Sequence, residues 1–172
     1  MKTRLIAVAL LAVLIQAAKA SDGTITFTGA LQNATCTITG GGNLNVTLPT
    51  LSTATLATAG ATGGDTLFNI ALTGCSAGIA TASAFFEAGA NTDATTGRLN
   101  STGTAGNVQI QLLNSTGSVV NVAAVTVAGQ GTQAATITSN AGTQSFIARY
   151  YATGATTAGT VASSVTYLMV YN

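Results

Sequence analysis

Apolar and polar positions alternate with a period of two in four short segments, 24–27, 44–48, 67–72 and 108–112. Successive side chains of an extended strand point to opposite sides, so each segment predicts a strand with one buried face. Further candidates are 119–127, 134–138, 145–152 and 164–171, each bounded by Gly, Asn or Ser clusters that act as turns. Three-and-four spacing is scarce, and Gly, Thr or Ser interrupts nearly every window that could be helical. The one stretch that could hold a short Ala-rich helical turn is 51–63, where a surface loop fits equally well. Short strands spread over the whole length predict an all-β sandwich or barrel. No fixed spacing recurs, which argues against a solenoid.

The two ends carry the most specific patterning. Near the beginning, Ile25, Phe27, Gly29 and Leu31 fall on one face of an extended strand, and Thr24, Thr26, Thr28 and Ala30 on the other. Near the end, Val165, Tyr167, Met169 and Tyr171 share a face, with Gly159 upstream in the same odd-numbered register. On alternation alone, ordinary edge strands of a sandwich fit both of them equally well.

Residues 1–20 read as an export signal. Lys2 and Arg4 precede an apolar run over 5–15, and Ala18-Lys19-Ala20 offers a small-x-small cleavage site, so the mature chain is expected to begin at Ser21. The run is shorter than the roughly 20 residues that span a bilayer. Cleavage removes three of the five cations and leaves Arg98 and Arg149 against Asp22, Asp65, Glu87 and Asp93. A chain this poor in cations cannot neutralise a phosphate backbone, so no nucleic-acid partner is expected. With 47% hydrophobic residues and a positive mean hydropathy, the chain should fold, as a single domain.

Catalysis fails on inventory. Histidine is absent and the mature chain has no lysine, so neither a Ser-His-Asp nor a Cys-His arrangement can be built. Glu87 and Asp93 are the nearest pair of carboxylates, and the Gly and Asn between them read as a surface turn. Gly40-Gly41-Gly42 lacks the Lys-Ser/Thr of a phosphate loop and reads as a turn between strands. No catalytic residue, cofactor or metal ligand is assigned. Cys36 and Cys75, the two cysteines, would reach an oxidising compartment, where each is the other's only intramolecular partner.

Taken together, these residues resemble the type 1-like fimbrial major subunits assembled by the chaperone–usher pathway. The opening from Ser21 to Gly29, with Cys36 seven residues on, is similar to that family's N-terminal extension and first cysteine. Residues 67–75 are similar to its Phe-Asn-x-x-Leu-x-x-Cys stretch, and the Cys36 to Cys75 spacing fits its single disulfide. Residues 146–154 resemble a recurring pilin segment, and a penultimate Tyr171 with Gly159 fourteenth from the end matches its chaperone-recognition pattern.

The resemblance implies an incomplete immunoglobulin-like sandwich that lacks its last strand and is completed by a donor strand from another subunit. It divides the chain into a signal peptide (1–20), an N-terminal extension that is the donor strand (21–32) and a pilin domain (33–172). Ile25, Phe27 and Leu31 would fill a neighbour's groove and Gly29 its shallow point. Gly159, Val165, Tyr167, Met169 and Tyr171 would form the groove and the chaperone-recognition surface. The implied partners are identical or related pilin subunits in a head-to-tail polymer, a periplasmic chaperone and an outer-membrane usher. The implied destination is a cell-surface fimbria that supports adhesion, reached through the periplasm. The competing expectation is a secreted monomeric β-sandwich carbohydrate-binding module, for which 5% aromatic residues and no tryptophan supply little stacking surface.

Overall fold

A computed structural model describes residues 24–29 and 35–172. The proposed signal peptide, its cleavage site and Leu31 lie outside the described residues. Residues 24–29 belong to a unit separate from the body, which begins at Asn33.

The body is built from eight strands: β1 (Thr37–Ile38), β2 (Thr62–Thr73), β3 (Thr81–Glu87), β4 (Leu99–Asn100), β5 (Val108–Asn114), β6 (Ala135–Thr136), β7 (Gly142–Ala152) and β8 (Thr166–Tyr171). They form two antiparallel sheets, ordered β1-β2-β7-β5-β4 and β6-β3-β8. Ile70 and Leu72 of β2, Leu112 of β5 and Phe146 and Ala148 of β7 face Ala82, Ala84 and Phe86 of β3 in a shared core. Phe146 fixes the spacing of the layers. It stacks on Phe68 of its own sheet at 5.6 Å and meets Phe86 of the other edge-on at 5.1 Å.

The expected strands at 67–72, 108–112 and 145–152 lie within β2, β5 and β7, and that at 164–171 shortens to β8. The expected strand at 134–138 contracts to the two residues of β6, because Thr138 and Ala141 bond across a tight turn that leads straight into β7. At 51–63 a single 3-10 turn, Thr53–Leu56, precedes β2. Residues 40–42 make a tight turn after β1, with positive φ at all three glycines.

Three expected strands are absent. Residues 24–27 are extended in pattern only and form no strand. Residues 44–48 have the burial alternation of a strand, with Val46 and Leu48 half-buried against the core, but no ladder partner. Residues 119–127 bury Val120 and Val122 without forming a strand. Their amides are met one at a time by Leu112 O and Gly97 O, and the segment ends in a turn of helix, Val127–Gln130, capped by Thr126. Three strands were not expected: the two-residue β1 and β4, and β3, whose Ala82, Ser83 and Ala84 are all buried and so show no alternation.

Cys36 and Cys75 are bonded to each other and tie the start of β1 to the end of β2, where Thr37 pairs with Thr73.

Candidate functional site

β8 is paired along one side only. Its register with β3 runs from Ala82↔Tyr171 to Glu87↔Thr166, and among the described residues no strand lies on its other side. The backbone N–H and C=O groups on that side form a template for a further strand. Alternation along β8 sets what such a strand would meet. Tyr167, Met169 and Tyr171, with Val165 just before the strand, are half-buried and packed on the core, whereas Thr166 and Leu168 are exposed.

The other wall comes from distant parts of the chain. Ile38, Val46 and Leu48 pack half-buried on the same core cluster, as does Val161. The Tyr167 hydroxyl donates to the Gly42 carbonyl at 2.9 Å and so ties β8 to the turn before 43–50. Farther along, a cavity of about 650 Å³ opens between 50–56 and 156–161, with Leu51, Leu56, Val108, Tyr150 and Val161 supplying its apolar lining. The result is a strip of half-buried apolar side chains beside an unpaired strand edge, continuous with a hollow.

The sequence-predicted acceptor residues are thus together: Val165, Tyr167, Met169 and Tyr171 line one face, and Gly159 lies in the cavity wall. Gly159 has a steric reason to be glycine. A Cβ there would stand 2.5 Å from Ala105 N and 2.7 Å from Thr104 C, both backbone atoms that cannot swing away. Gly159→Ala should push 104–105 off the 156–161 segment and lower stability by about 1–3 kcal/mol, read as a reduced urea midpoint at unchanged slope. Ile38, Val46, Leu48, Tyr150 and Val161 were missed as site residues, and only the alternation at 44–48 signalled any of them.

The predicted donor residues lie in the other unit. Ile25 and Phe27 are 79% and 89% exposed, and Gly29 is exposed. Large apolar side chains exposed at alternate positions are unusual on a soluble surface.

Two tyrosines and one carboxylate are shifted from their ordinary titration. Burial raises Tyr150 and Tyr167 above 10.0, the latter helped by neighbouring Tyr171. Asp93 is held below 3.8, chiefly by the Gln109 side chain and then by the backbone N–H groups of Thr96 and Thr95. A tyrosine raised on folding adds stability that is complete below pH 10 and lost as pH climbs through the raised value. A depressed carboxylate adds stability that is present above its unfolded value and lost as pH falls through the folded one. With no histidine in the chain and no lysine beyond Lys19, the melting temperature should stay flat from about pH 5 to about pH 9. A shift of more than about 5 °C inside that window in a thermal melt would contradict this expectation.

Glu87 ends β3 and Asp93 sits in the following turn, where it accepts from Thr95 and Thr96 N–H and from Gln109 Nε2. Among the described residues no group of three metal-ligating side chains is brought together.

The family profile described as "Type-1 fimbrial protein, A" matches residues 48–172. The major fimbrial subunit SMF-1 of Stenotrophomonas maltophilia is 47% identical over 165 residues, covering 91% of this chain and 96% of that protein. The F17 fimbrial protein of Escherichia coli is 43% identical, covering 88% of each chain. Among solved structures, the P pilus rod subunit PapA superposes with a TM-score of 0.63 at 16% identity, over 80% of this chain and 99% of that one. At that identity the superposition establishes the shared fold.

Proposed function

The chain belongs to the type-1 fimbrial protein family, and from that premise we propose that it is a structural subunit of a bacterial fimbria that polymerises by strand donation. In this reading residues 1–20 direct export and are removed. The extension 21–32 then adds itself as a strand to β8 of the neighbouring subunit, whose own extension serves the next one. Such an interface is head-to-tail and does not close, so it builds an open fibre.

The observation that carries the reading is the unpaired side of β8 above a row of half-buried Val165, Tyr167, Met169 and Tyr171. An edge that is both unpaired and apolar is a liability in a soluble protein unless something covers it. The extension has matching chemistry, with Ile25, Phe27 and Leu31 on one face and Gly29 where a side chain would stand too tall. Before assembly the same edge would need a temporary cover, and a periplasmic chaperone lending a strand, followed by an outer-membrane usher, satisfies that need. The assembled fibre would stand on the cell surface and support adhesion.

Electron microscopy of cells expressing the chain with its export genes, labelled by antibody to the subunit, tests this. Labelled filaments should be present with the intact chain and absent when residues 24–31 are deleted. A stable soluble monomer and no filaments from the intact chain would favour the carbohydrate-binding alternative instead.

A further inference from the structure

The smaller sheet has a second flank. β3 pairs with β8 on one side, but on the other β6 reaches only Thr81 and Ala82. Antiparallel pairing sends the backbone groups of alternate residues to opposite neighbours, so beyond Ala82 the outward groups belong to Ala84 and Phe86. Left bare, they would offer a second template for strand addition.

They are not bare. The Ala84 N–H donates to Oε1 of Gln144 at 2.7 Å, and the Phe86 N–H donates to Oε1 of Gln130 at 2.9 Å. Gln130 Nε2 donates back to the Phe86 carbonyl. One side-chain amide thus gives Phe86 the reciprocal pair of bonds that a residue on an adjacent strand would give. Both glutamines are fixed in place. Gln130 is fully buried at the end of the helical turn, and its Nε2 also reaches the Ala124 carbonyl at 3.2 Å. Gln144 is 3% exposed, projects from β7 in the opposite sheet and donates through Nε2 to the Gln133 carbonyl. A buried amide is tolerated only when its polar atoms are bonded, and the oxygen and nitrogen of both are bonded here. Among the described residues no side-chain amide meets 165–171 in this way.

We propose that Gln130 and Gln144 are specificity-determining residues for assembly: their side-chain amides close the far flank of β3 and leave β8 as the edge that takes a strand from a neighbour. Each subunit then accepts one donor, and the fibre grows without branching or lateral sheet formation. This proposal rests on the strand-donation reading above.

The mature chain carrying Gln130→Met and Gln144→Met keeps side-chain volume and loses both amides. Refolded with an excess of a synthetic peptide of residues 24–32 and weighed by native mass spectrometry, the wild-type chain should hold one peptide and the double variant two. A role confined to packing would lower the variant's stability and leave its count at one, which overturns the proposal while strand donation stands. No peptide on the wild-type chain overturns strand donation itself. Should the variants not fold, hydrogen exchange on the wild-type monomer decides. Ala84 and Phe86 amides protected as well as those of Ser83 and Phe85 support closure of the flank, and free exchange at Ala84 and Phe86 overturns it.

Discussion

Replacing Phe27 with arginine should abolish fibre formation and leave the folded body intact. Phe27 is 89% exposed in the isolated chain and takes no part in the core cluster, so the substitution costs the subunit nothing. In a fibre the same position would be covered. Burying a phenylalanine is worth roughly 1.5–3 kcal/mol, and an unpaired guanidinium in an apolar strip costs several kcal/mol more. Each 1.4 kcal/mol is about tenfold in an equilibrium constant, so subunit-to-subunit affinity should fall by well over a hundredfold. Pelleted polymer per cell measures this directly, alongside the thermal midpoint of the monomeric subunit. Wild-type polymer yield from the variant would remove residues 24–31 from the interface.

The second large effect concerns the disulfide. Cys36 and Cys75 are 39 residues apart in sequence and both buried. Constraining a loop of that length in the unfolded chain contributes about 4 kcal/mol. A domain's whole stability is typically about 5–15 kcal/mol, and this body has an open strand edge. The bridge also holds β1, which is only two residues long and pairs with β2 through Thr37 and Ile38. Cys36→Ser with Cys75→Ser should therefore lower the unfolding free energy by about 4 kcal/mol, measured by urea titration. Subunits made in a strain that cannot oxidise thiols should fail to accumulate for the same reason. A double variant as stable as wild type would show that the β1 end is secured some other way.

Alternation along the chain reports burial, and it reports pairing only where a neighbour exists. Residues 67–72, 108–112, 145–152 and 164–171 have both, which is why their strands could be read directly. Residues 44–48 show the expected burial at Val46 and Leu48 but lack a ladder partner. Val120 and Val122 are as buried as any strand residue, yet they lie in an irregular crossing stitched by single bonds. β3 escaped notice for the opposite reason. It is paired on both sides over Thr81 and Ala82, and its small residues are covered on both faces, which removes the polar positions that mark a period of two.

The candidate site divides in the same way. The face made by Val165, Tyr167, Met169 and Tyr171 is local in sequence and could be read from spacing. Ile38, Val46 and Leu48 pack on the same core from a distant part of the chain, and Tyr150 and Val161 line the cavity, placements that only the topology creates. Gly159 was singled out by resemblance to a family pattern, and the close approach of the 104–105 backbone now gives a physical reason for it. Gln130 and Gln144 were invisible to pattern reasoning, since nothing in a sequence marks a glutamine as an interior partner for strand backbone.

Hydrogen exchange on assembled fibres, compared with the monomeric subunit, is the most direct test of the proposal that residues 24–31 add to β8 of a neighbour. The amides of 24–31 and the outward-facing amides of β8 should exchange freely in the monomer and become protected together in the fibre. Fibres in which 24–31 still exchange as fast as a free peptide would contradict strand donation.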